Sequence, residues 1–192
     1  MMEAIQSFDT SALLYIQDFL RTPFWNTFFV IFSRLGDGGI LWIALGLALL
    51  FPPKTRRQGF DILLCLAFAF LVVNCILKPW VARVRPYNAI EGLTILVAPL
   101  SDFSFPSGHT NASFAAAFAL TKCFGKKGAW AYLFAVLIAV SRLWVGVHYP
   151  TDVLAGAACG TGSRSKACIS ATKAPTCGHT DSTCSSTSPD SG

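Results

Sequence analysis

The sequence predicts an all-α protein, a multi-span transmembrane helical bundle. Of its 192 residues, 53% are hydrophobic and only 13% are charged, and the mean hydropathy is +0.53. Soluble domains carry about twice that share of charged residues. The apolar residues also stand in runs separated by short polar or glycine- and proline-rich breaks. We therefore expect five or six membrane spans, with the last one truncated.

The apolar runs predict the helices in chain order. Residues 11–20 mix apolar and polar side chains, which is typical of an amphipathic helix at the membrane interface. The next two runs, 22–35 and 40–51, are separated by the glycine-rich segment 36–39. Both are shorter than the roughly 20 residues that cross about 30 Å of hydrocarbon, so their flanks must extend them. Further spans are expected over residues 60–77, over 112–120 with its flanks, and over 129–147.

The last part of the chain changes character abruptly. We predict a membrane-embedded domain over residues 1–160 and a polar tail over residues 161–192. After Asp152 only residues 153–160 are apolar or small, a segment too short to cross a bilayer. The tail is rich in Ser and Thr and lacks apolar periodicity, so it is predicted to be disordered. Because the composition changes abruptly within a predicted helix, our hypothesis is that the tail is a frame-shifted or truncated segment in place of the last span.

Charge and cysteine content do not indicate another class of function. The net charge of +5 is typical of membrane proteins with basic cytoplasmic loops, and no basic stripe predicts nucleic-acid binding. Four of the seven cysteines stand in or beside the tail, with a spacing that matches no compact zinc site. We expect no metal, no cofactor and no nucleic-acid partner, and the oligomeric state stays open. The four cysteines in or beside the tail are Cys159, Cys168, Cys177 and Cys184.

Basic residues outside any motif predict the topology. Two connectors, around residues 54–57 and 122–127, hold six lysines and arginines and should face the cytoplasm. The polar residues between Lys78 and Asp152 then meet on the non-cytoplasmic face. The first ten residues lack the pattern of a signal peptide. We therefore expect a multi-pass protein of the plasma or inner membrane with a cytoplasmic N-terminus.

Three polar clusters stand out in this apolar chain. Each supplies one requirement of phosphoryl transfer: cations for the phosphate oxygens, backbone amides at a helix start, and two histidines with a carboxylate to orient one of them. Together they predict a phosphate-handling active site. The clusters are Lys78 with Arg85-Pro86, then Pro106-Ser107-Gly108-His109, then Ser141-Arg142 with His148 and Asp152.

With these clusters in order and their spacings intact, the chain resembles the type 2 phosphatidic acid phosphatase family, membrane lipid phosphatases related to vanadium haloperoxidases. The resemblance covers about residues 33–160 in helix pattern and 78–152 in motif. It implies an integral membrane hydrolase acting on a lipid phosphate or diphosphate through a phosphohistidine, without a metal. Undecaprenyl diphosphate, phosphatidic acid and phosphatidylglycerophosphate all fit. Two alternatives stay open: a lipid phosphotransferase of the same family, and an inactive membrane protein that lacks its last helix.

The resemblance also implies a role for each motif residue. His148 attacks phosphorus, Asp152 holds the other ring nitrogen of that histidine, and His109 protonates the leaving group and then activates water. The phosphate oxygens are bound by cations and by the start of a helix. These phosphate-binding residues are Lys78, Arg85, Ser107, Gly108 and Arg142.

Three other positions receive simpler interpretations. Arg83 has no position in the family motif, and we expect it to be solvated or to face lipid. Asp37, within the glycine-rich segment, is expected to shape a turn and not to take part in catalysis. Pro150 predicts the first turn of a helix, with His148 just before it.

Overall fold

The computed structural model describes residues 2–162, and every regular element in this range is helical. The all-α prediction is confirmed for this part of the chain. Helix α9 is described as far as Gly162, and the residues from 163 onward lie outside the described range, as do three of the tail cysteines. The division into two domains stays a prediction. The helices are α1 Met2–Tyr15, α2 Pro23–Leu35, α3 Ile40–Leu50, α4 Arg56–Phe70, α5 Lys78–Val81, α6 Pro86–Ala89, α7 Gly108–Phe124, α8 Ala131–Trp144 and α9 Pro150–Gly162.

Short irregular helical turns extend or connect several of these helices. α1 runs on as a π-helical turn, Ile16–Leu20, and α4 runs on as a π-helical stretch, Leu71–Leu77, that leads into α5. One 3₁₀ turn, Asp37–Gly39, joins α2 to α3, and another, Gly125–Trp130, joins α7 to α8. The predicted interfacial helix is therefore longer than residues 11–20, because helical structure begins at residue 2.

Helices α2 and α3 form one bent pair. Gly38 and Gly39 adopt φ angles of 59° and 70°, a left-handed conformation that glycine reaches without a Cβ clash. The helix axes bend by 45° across this turn, and the pair is long and apolar enough to form a single broken span. The two short predicted spans, 22–35 and 40–51, are thus the two arms of this pair. Sequence runs alone could not give the angle between them.

The predicted number of spans is not reached within residues 2–162. In this range two helical stretches, Arg56–Ala89 and Gly108–Trp144, are long and apolar enough to cross a membrane, and the bent pair makes three. The second stretch contains α7, a turn and α8. The described part of helix α9 has 13 residues, about 20 Å of rise, and this part alone is shorter than a membrane span. The prediction of five or six spans is therefore not confirmed.

Helix α7 lies at the centre and packs against α4, α8 and α9. Its buried alanines let neighbouring helices approach closely, because a methyl group adds little width. Its N-terminal half also forms two buried hydrogen bonds with neighbouring helices. Asn111 donates to the Ala69 carbonyl at 2.9 Å, and Ser113 accepts from Trp42 Nε1 at 2.9 Å. The fully buried alanines of α7 are Ala115, Ala116, Ala117 and Ala119.

Helix α9 runs alongside α7 in the same direction. A Cβ added to Gly156 would lie 2.6 Å from the Ser107 carbonyl oxygen, and one added to Gly160 would lie 2.5 Å from that of Asn111. Both contacts are closer than any side chain allows, so this packing needs glycine. The close approach fixes the start of α9 beside the start of α7, which brings the second and third motifs together.

Helix α1 lies at the same end of the bundle as the motif residues. The Thr151 amide donates to Asp9 Oδ1 at 3.1 Å, the Thr94 amide donates to Gln17 at 2.8 Å, and Arg21 Nη2 donates to the Trp144 carbonyl at 2.7 Å. All three contacts reach loops and helix ends that carry or border the motifs, so α1 and the motif residues share one end of the helical bundle. The side of the membrane that this end faces stays a prediction.

Candidate active site

The three predicted motifs meet at one cavity of about 640 Å³. Lys78, Arg85, Gly108, His109 and His148 all border it. Lys78 begins α5, at the end of the helical stretch that starts with α4 and is called the α4 stretch below. The others come from the loop before α6, the start of α7 and the loop before α9. The helix packing thus joins residues up to 70 positions apart in the chain.

His148 is buried just before α9, which begins at Pro150 as predicted. Its Nδ1 lies 3.5 Å from Asp152 Oδ2, and its Nε2 lies 3.4 Å from Arg85 Nη1. Burial is the main cause that lowers the pKa of His148 to about 3; the Asp152 carboxylate opposes this, and nearby arginine charges add to it. The imidazole is therefore neutral near pH 7, and the lone pair of Nε2 faces Arg85, which can only donate a hydrogen bond.

Asp152 is fully buried, and both of its oxygens accept hydrogen bonds. Ser104 Oγ donates to Oδ2 at 2.5 Å, the Tyr149 amide donates to Oδ2 at 3.0 Å, and Arg83 Nη1 donates to Oδ1 at 2.6 Å. Burial alone would raise the pKa of this carboxyl, but the bonds from His148 and Ser104 outweigh it and lower the pKa. Asp152 is thus held ionised behind the histidine.

Arg83 is not solvated or lipid-facing, and that prediction was wrong. Its side chain is 20% exposed and bridges Asp152 to Asp9, with Nη2 to Asp9 Oδ2 at 2.7 Å. The reason is that two buried carboxylates need a cation between them. The motif pattern could not reveal this, because Asp9 lies 74 residues away in the chain.

Lys78 and Arg85 form ion pairs with Asp102, a residue that the motifs did not single out. Arg85 also donates Nε to the Asp102 carbonyl at 2.8 Å and Nη1 to the Val147 carbonyl at 2.9 Å. Partial burial would raise the pKa of Asp102, but Lys78 and Arg85 lower it to about 2. The available signal was an acidic residue four positions before Pro106.

Arg142 and Ser107 are not among the described residues that line the cavity. Arg142 is buried and donates Nη1 to Ser33, while its Nε has no hydrogen-bond partner among the described residues. Ser107 caps α7, because its Oγ accepts from the Thr110 amide at 3.4 Å. The neighbouring residue, Gly108, does line the cavity. Contact of Arg142 and Ser107 with phosphate stays a prediction.

His109 faces Asp37, which we expected to be only a turn residue. Asp37 does begin the turn between α2 and α3, but its Oδ1 also accepts from His109 Nε2 at 2.8 Å. The bend of the α2–α3 pair therefore delivers a carboxylate to the second histidine. Among residues 2–162, no group of three or more His, Cys, Asp or Glu side chains is arranged to hold a metal ion.

Comparison with known proteins identifies the family. A family model described as the PAP2 superfamily matches residues 58–164, more than half of the chain. The chain belongs to this superfamily. A relative, the lipid A 4'-phosphatase of Bacteroides thetaiotaomicron, is 31% identical over 83% of this chain and 75% of its own length.

Solved structures of the PAP2 superfamily have the same fold. A transmembrane PAP2-type phosphatidylglycerolphosphate phosphatase from Bacillus subtilis has a TM-score of 0.67 and 32% identity, and the match covers 83% of this chain and 82% of that one. LpxE of Aquifex aeolicus has a TM-score of 0.72 and 29% identity, over 87% and 96% of the two chains. A bacterial vanadium-dependent iodoperoxidase, at 15% identity and a TM-score of 0.64 over 81% and 46%, shares the fold alone.

These PAP2 matches bear out the resemblance drawn from the motifs. Its curated relatives include the lipid A 4'-phosphatase and a phosphatidylglycerophosphatase B of Bacillus subtilis, so this chain is a phosphoric ester hydrolase of the superfamily. Its apolar helices and its transmembrane relatives make it a membrane protein.

Proposed function

We propose that this PAP2 protein hydrolyses a lipid phosphate monoester or diphosphate through a phosphohistidine, with no metal ion. One observation carries the proposal: the cavity has a polar end formed by the motif residues and an apolar wall formed by α3 and the α4 stretch. A phosphate head fits the first and a hydrocarbon tail fits the second. The apolar wall contains Ile43, Leu63, Leu66, Ala67, Phe70 and Leu71.

The apolar wall reaches the outer surface of the helical bundle. The side chains of Phe70 and Leu71 line the cavity and are also 59% and 55% exposed. In a membrane that exposed surface faces acyl chains, so a lipid can present its phosphate to the site while its tail stays in the bilayer. Undecaprenyl diphosphate, phosphatidic acid and phosphatidylglycerophosphate are all compatible, because the polar end recognises only phosphate.

In the first step His148 Nε2 attacks phosphorus. The new N–P bond forms as the bond from phosphorus to the lipid oxygen breaks, and His109 gives its proton to that leaving oxygen. Asp152 supports the positive charge that develops on the imidazole, because its Oδ2 faces Nδ1 at 3.5 Å. Contacts of this length in a substrate-free enzyme commonly shorten once substrate binds.

In the second step water resolves the phosphohistidine. His109 now accepts a proton from the water, and the water oxygen bonds to phosphorus. The N–P bond then breaks and inorganic phosphate is released. Asp37 keeps the ring of His109 in place, because its carboxylate lies 2.8 Å from Nε2. The same histidine thus acts first as an acid and then as a base.

Fixed cations stabilise the charge on the transferring phosphoryl group. Lys78 and Arg85 border the cavity, and the charge of the buried Arg142 acts on both His109 and His148. The Gly108 amide at the start of α7 adds a donor and the positive end of a helix dipole. Asp102 pairs with the first two cations, so bound phosphate must share or displace its carboxylate.

We propose that the motif end faces the non-cytoplasmic side. The support is the excess of lysine and arginine in the connectors around 54–57 and 122–127, both at the opposite end of the helices. Helix α1 then lies on the outer side too, because its Asp9 contacts Thr151 beside the site. This replaces the expected cytoplasmic position of the N-terminal segment.

Two alternatives give different results in the same assay. A phosphotransferase would resolve the phosphohistidine with a lipid hydroxyl and yield a phosphorylated acceptor in place of free phosphate. An inactive remnant would yield neither. The contacts of Asp152 favour an active enzyme, because Arg83, Ser104 and the Tyr149 amide hold its carboxylate beside His148.

The test uses detergent-purified protein with short-chain phosphatidic acid and an excess of chelator. We expect free phosphate from the wild type and from Arg57→Ala, an exposed arginine at the opposite end, and none from His148→Ala. Equal rates in the wild type and His148→Ala, or a rate that needs added divalent metal, would contradict the proposal. A phosphorylated acceptor without free phosphate would identify the transferase.

A further inference from the structure

A chain of ion pairs runs from the N-terminal helix to the carboxylate behind the proposed nucleophile. Arg83 lies between Asp9 of α1 and Asp152 of α9, with Nη2 2.7 Å from Asp9 Oδ2 and Nη1 2.6 Å from Asp152 Oδ1. Both carboxylates are 0% exposed. Such a pair of buried negative charges is stable only with a cation that both can bind.

Arginine suits this position better than lysine. Its planar guanidinium presents separate N–H groups to two acceptors at once, as Nη1 and Nη2 do here. The group also lies over the ring of Tyr149, 3.9 Å from the ring centroid, which adds a cation–π contact. Tyr149 is the residue directly after His148, so Arg83 touches the segment that carries the nucleophile.

Asp9 binds the first turn of α9. Its Oδ1 accepts from the Thr151 amide at 3.1 Å, and its Oδ2 accepts from Thr151 Oγ1 at 2.5 Å. The same hydroxyl lies 2.8 Å from Arg83 Nη1. A carboxylate at the free amides of a helix start stabilises that start. Helix α1 is therefore attached to the helix that carries Asp152.

Residue 83 also reaches the second oxygen of Asp152 through its backbone. The Arg83 carbonyl accepts from the Ser104 amide at 2.9 Å, and Ser104 Oγ donates to Asp152 Oδ2 at 2.5 Å. The preceding residue, Ala82, adopts a left-handed backbone conformation with a φ angle of 47°. This conformation costs free energy for any residue that has a Cβ atom. The surrounding contacts hold the chain in this conformation, which turns Arg83 toward Asp152.

We infer that Arg83 is a positioning residue for the nucleophile and that Asp9 makes α1 part of the catalytic domain. By occupying Asp152 Oδ1, Arg83 leaves Oδ2 to face His148 Nδ1. The inference rests on the proposed role of His148. Asp9 lies before residues 58–164, the range that the PAP2 superfamily matches, and Arg83 lies between the motif positions 78 and 85.

The first measurement compares Arg83→Ala with Arg83→Lys, using Arg57→Ala as the exposed control. With p-nitrophenyl phosphate as substrate, we expect kcat of Arg83→Ala to fall about 10- to 100-fold, because a charged hydrogen bond is lost. KM should change less than about threefold, since Arg83 does not line the cavity. Arg83→Lys should restore part of kcat. A kcat of Arg83→Ala per folded protein equal to that of the wild type would overturn the inference.

The second measurement combines Arg83→Ala with Asp152→Asn. If Arg83 acts through Asp152, the double variant should be no slower than Asp152→Asn alone, within about twofold. Multiplying losses would show an independent role and overturn the inference. If Arg83→Ala fails to fold, Asp9→Asn replaces it, both in the wild type and combined with Asp152→Asn. In the wild type we expect Asp9→Asn to lower kcat by about 3- to 10-fold. Asp18→Asn, exposed on the same N-terminal segment, is its control.

These results separate the inference from the proposed function. Rates close to the wild type in His148→Ala and Asp152→Asn would contradict the phosphohistidine proposal itself. Large losses in both of these variants, together with an Arg83→Ala enzyme as fast as the wild type, would contradict only the positioning role. A lower kcat, a steady KM and non-additivity with Asp152→Asn support both.

Discussion

The two histidines of the site each face an aspartate, but in very different surroundings. The side chains of His148 and Asp152 are 1% and 0% exposed, whereas those of His109 and Asp37 are 16% and 56% exposed. Asp152 accepts from three further donors. Within residues 2–162, His109 provides the only side-chain hydrogen bond to the Asp37 carboxylate. One pair is enclosed and fixed, and the other is open.

The difference matches the two proposed tasks. A nucleophile needs one protonation state and one orientation, and burial with a fixed carboxylate supplies both to His148. An acid–base residue gives a proton to the leaving group and takes one from water in each cycle, so contact with solvent is useful for His109. The enclosed pair should therefore be sensitive to any change, and the open pair more tolerant.

The largest effect should come from replacing the histidines themselves. With p-nitrophenyl phosphate, whose leaving group departs without a proton, His148→Ala should lose at least about 10⁴-fold in kcat and form no phosphoenzyme. His109→Ala should still undergo the first step and accumulate phosphohistidine, because only the water reaction needs its base. Rapid quench with radiolabelled phosphate ester distinguishes the two. Phosphoenzyme in His148→Ala would assign the nucleophile elsewhere.

The aspartates give the next largest contrast. Asp152→Asn should lose about 10³- to 10⁴-fold in kcat, the loss typical when a buried carboxylate that orients a catalytic histidine becomes an amide. Asp37→Asn should lose only about 10-fold, because an exposed partner holds the ring less firmly. Steady-state kinetics at pH 7 measures both, with Glu91→Gln, an exposed loop residue, as the control. Equal losses would mean that enclosure does not distinguish the pairs.

The enclosed histidine also predicts how stability depends on pH. The folded-state pKa of His148 is lowered from 6.5 to about 3, so between these values the unfolded chain binds a proton that the folded chain does not. Stability should therefore fall as pH falls from about 6.5 toward 3, by at most about 1.4 kcal/mol per pH unit from this group. Thermal unfolding in detergent at pH 7, 6, 5 and 4 should show a shallower decline for His148→Gln than for the wild type. Parallel declines would contradict the low pKa.

The motif histidines could be predicted from the sequence because residue type and spacing carry their chemistry. Helix starts could be predicted as well, since Pro23 and Pro150 each begin the helix that the sequence indicates. The carboxylate Asp37 could not be assigned, because it meets His109 only through tertiary packing across 72 residues. Arg83 was misjudged for the same reason. Local patterns identify groups that act, and long-range contacts decide which groups support them.

The smallest expected effect concerns Asp102, which pairs with both cations at the cavity and is 48% exposed. Its carboxylate competes with phosphate for Lys78 and Arg85, so Asp102→Asn should lower the inhibition constants of phosphate and vanadate by about 3- to 10-fold. The same change leaves two buried cations without their counter-charge, so the unfolding temperature should fall by a few degrees, roughly the effect of 1 kcal/mol. If the inhibition constants rise instead, Asp102 orients the cations and does not compete with the substrate. In that case the two cations at the cavity, like the open pair of His109 and Asp37, would depend on a carboxylate that the motifs do not contain.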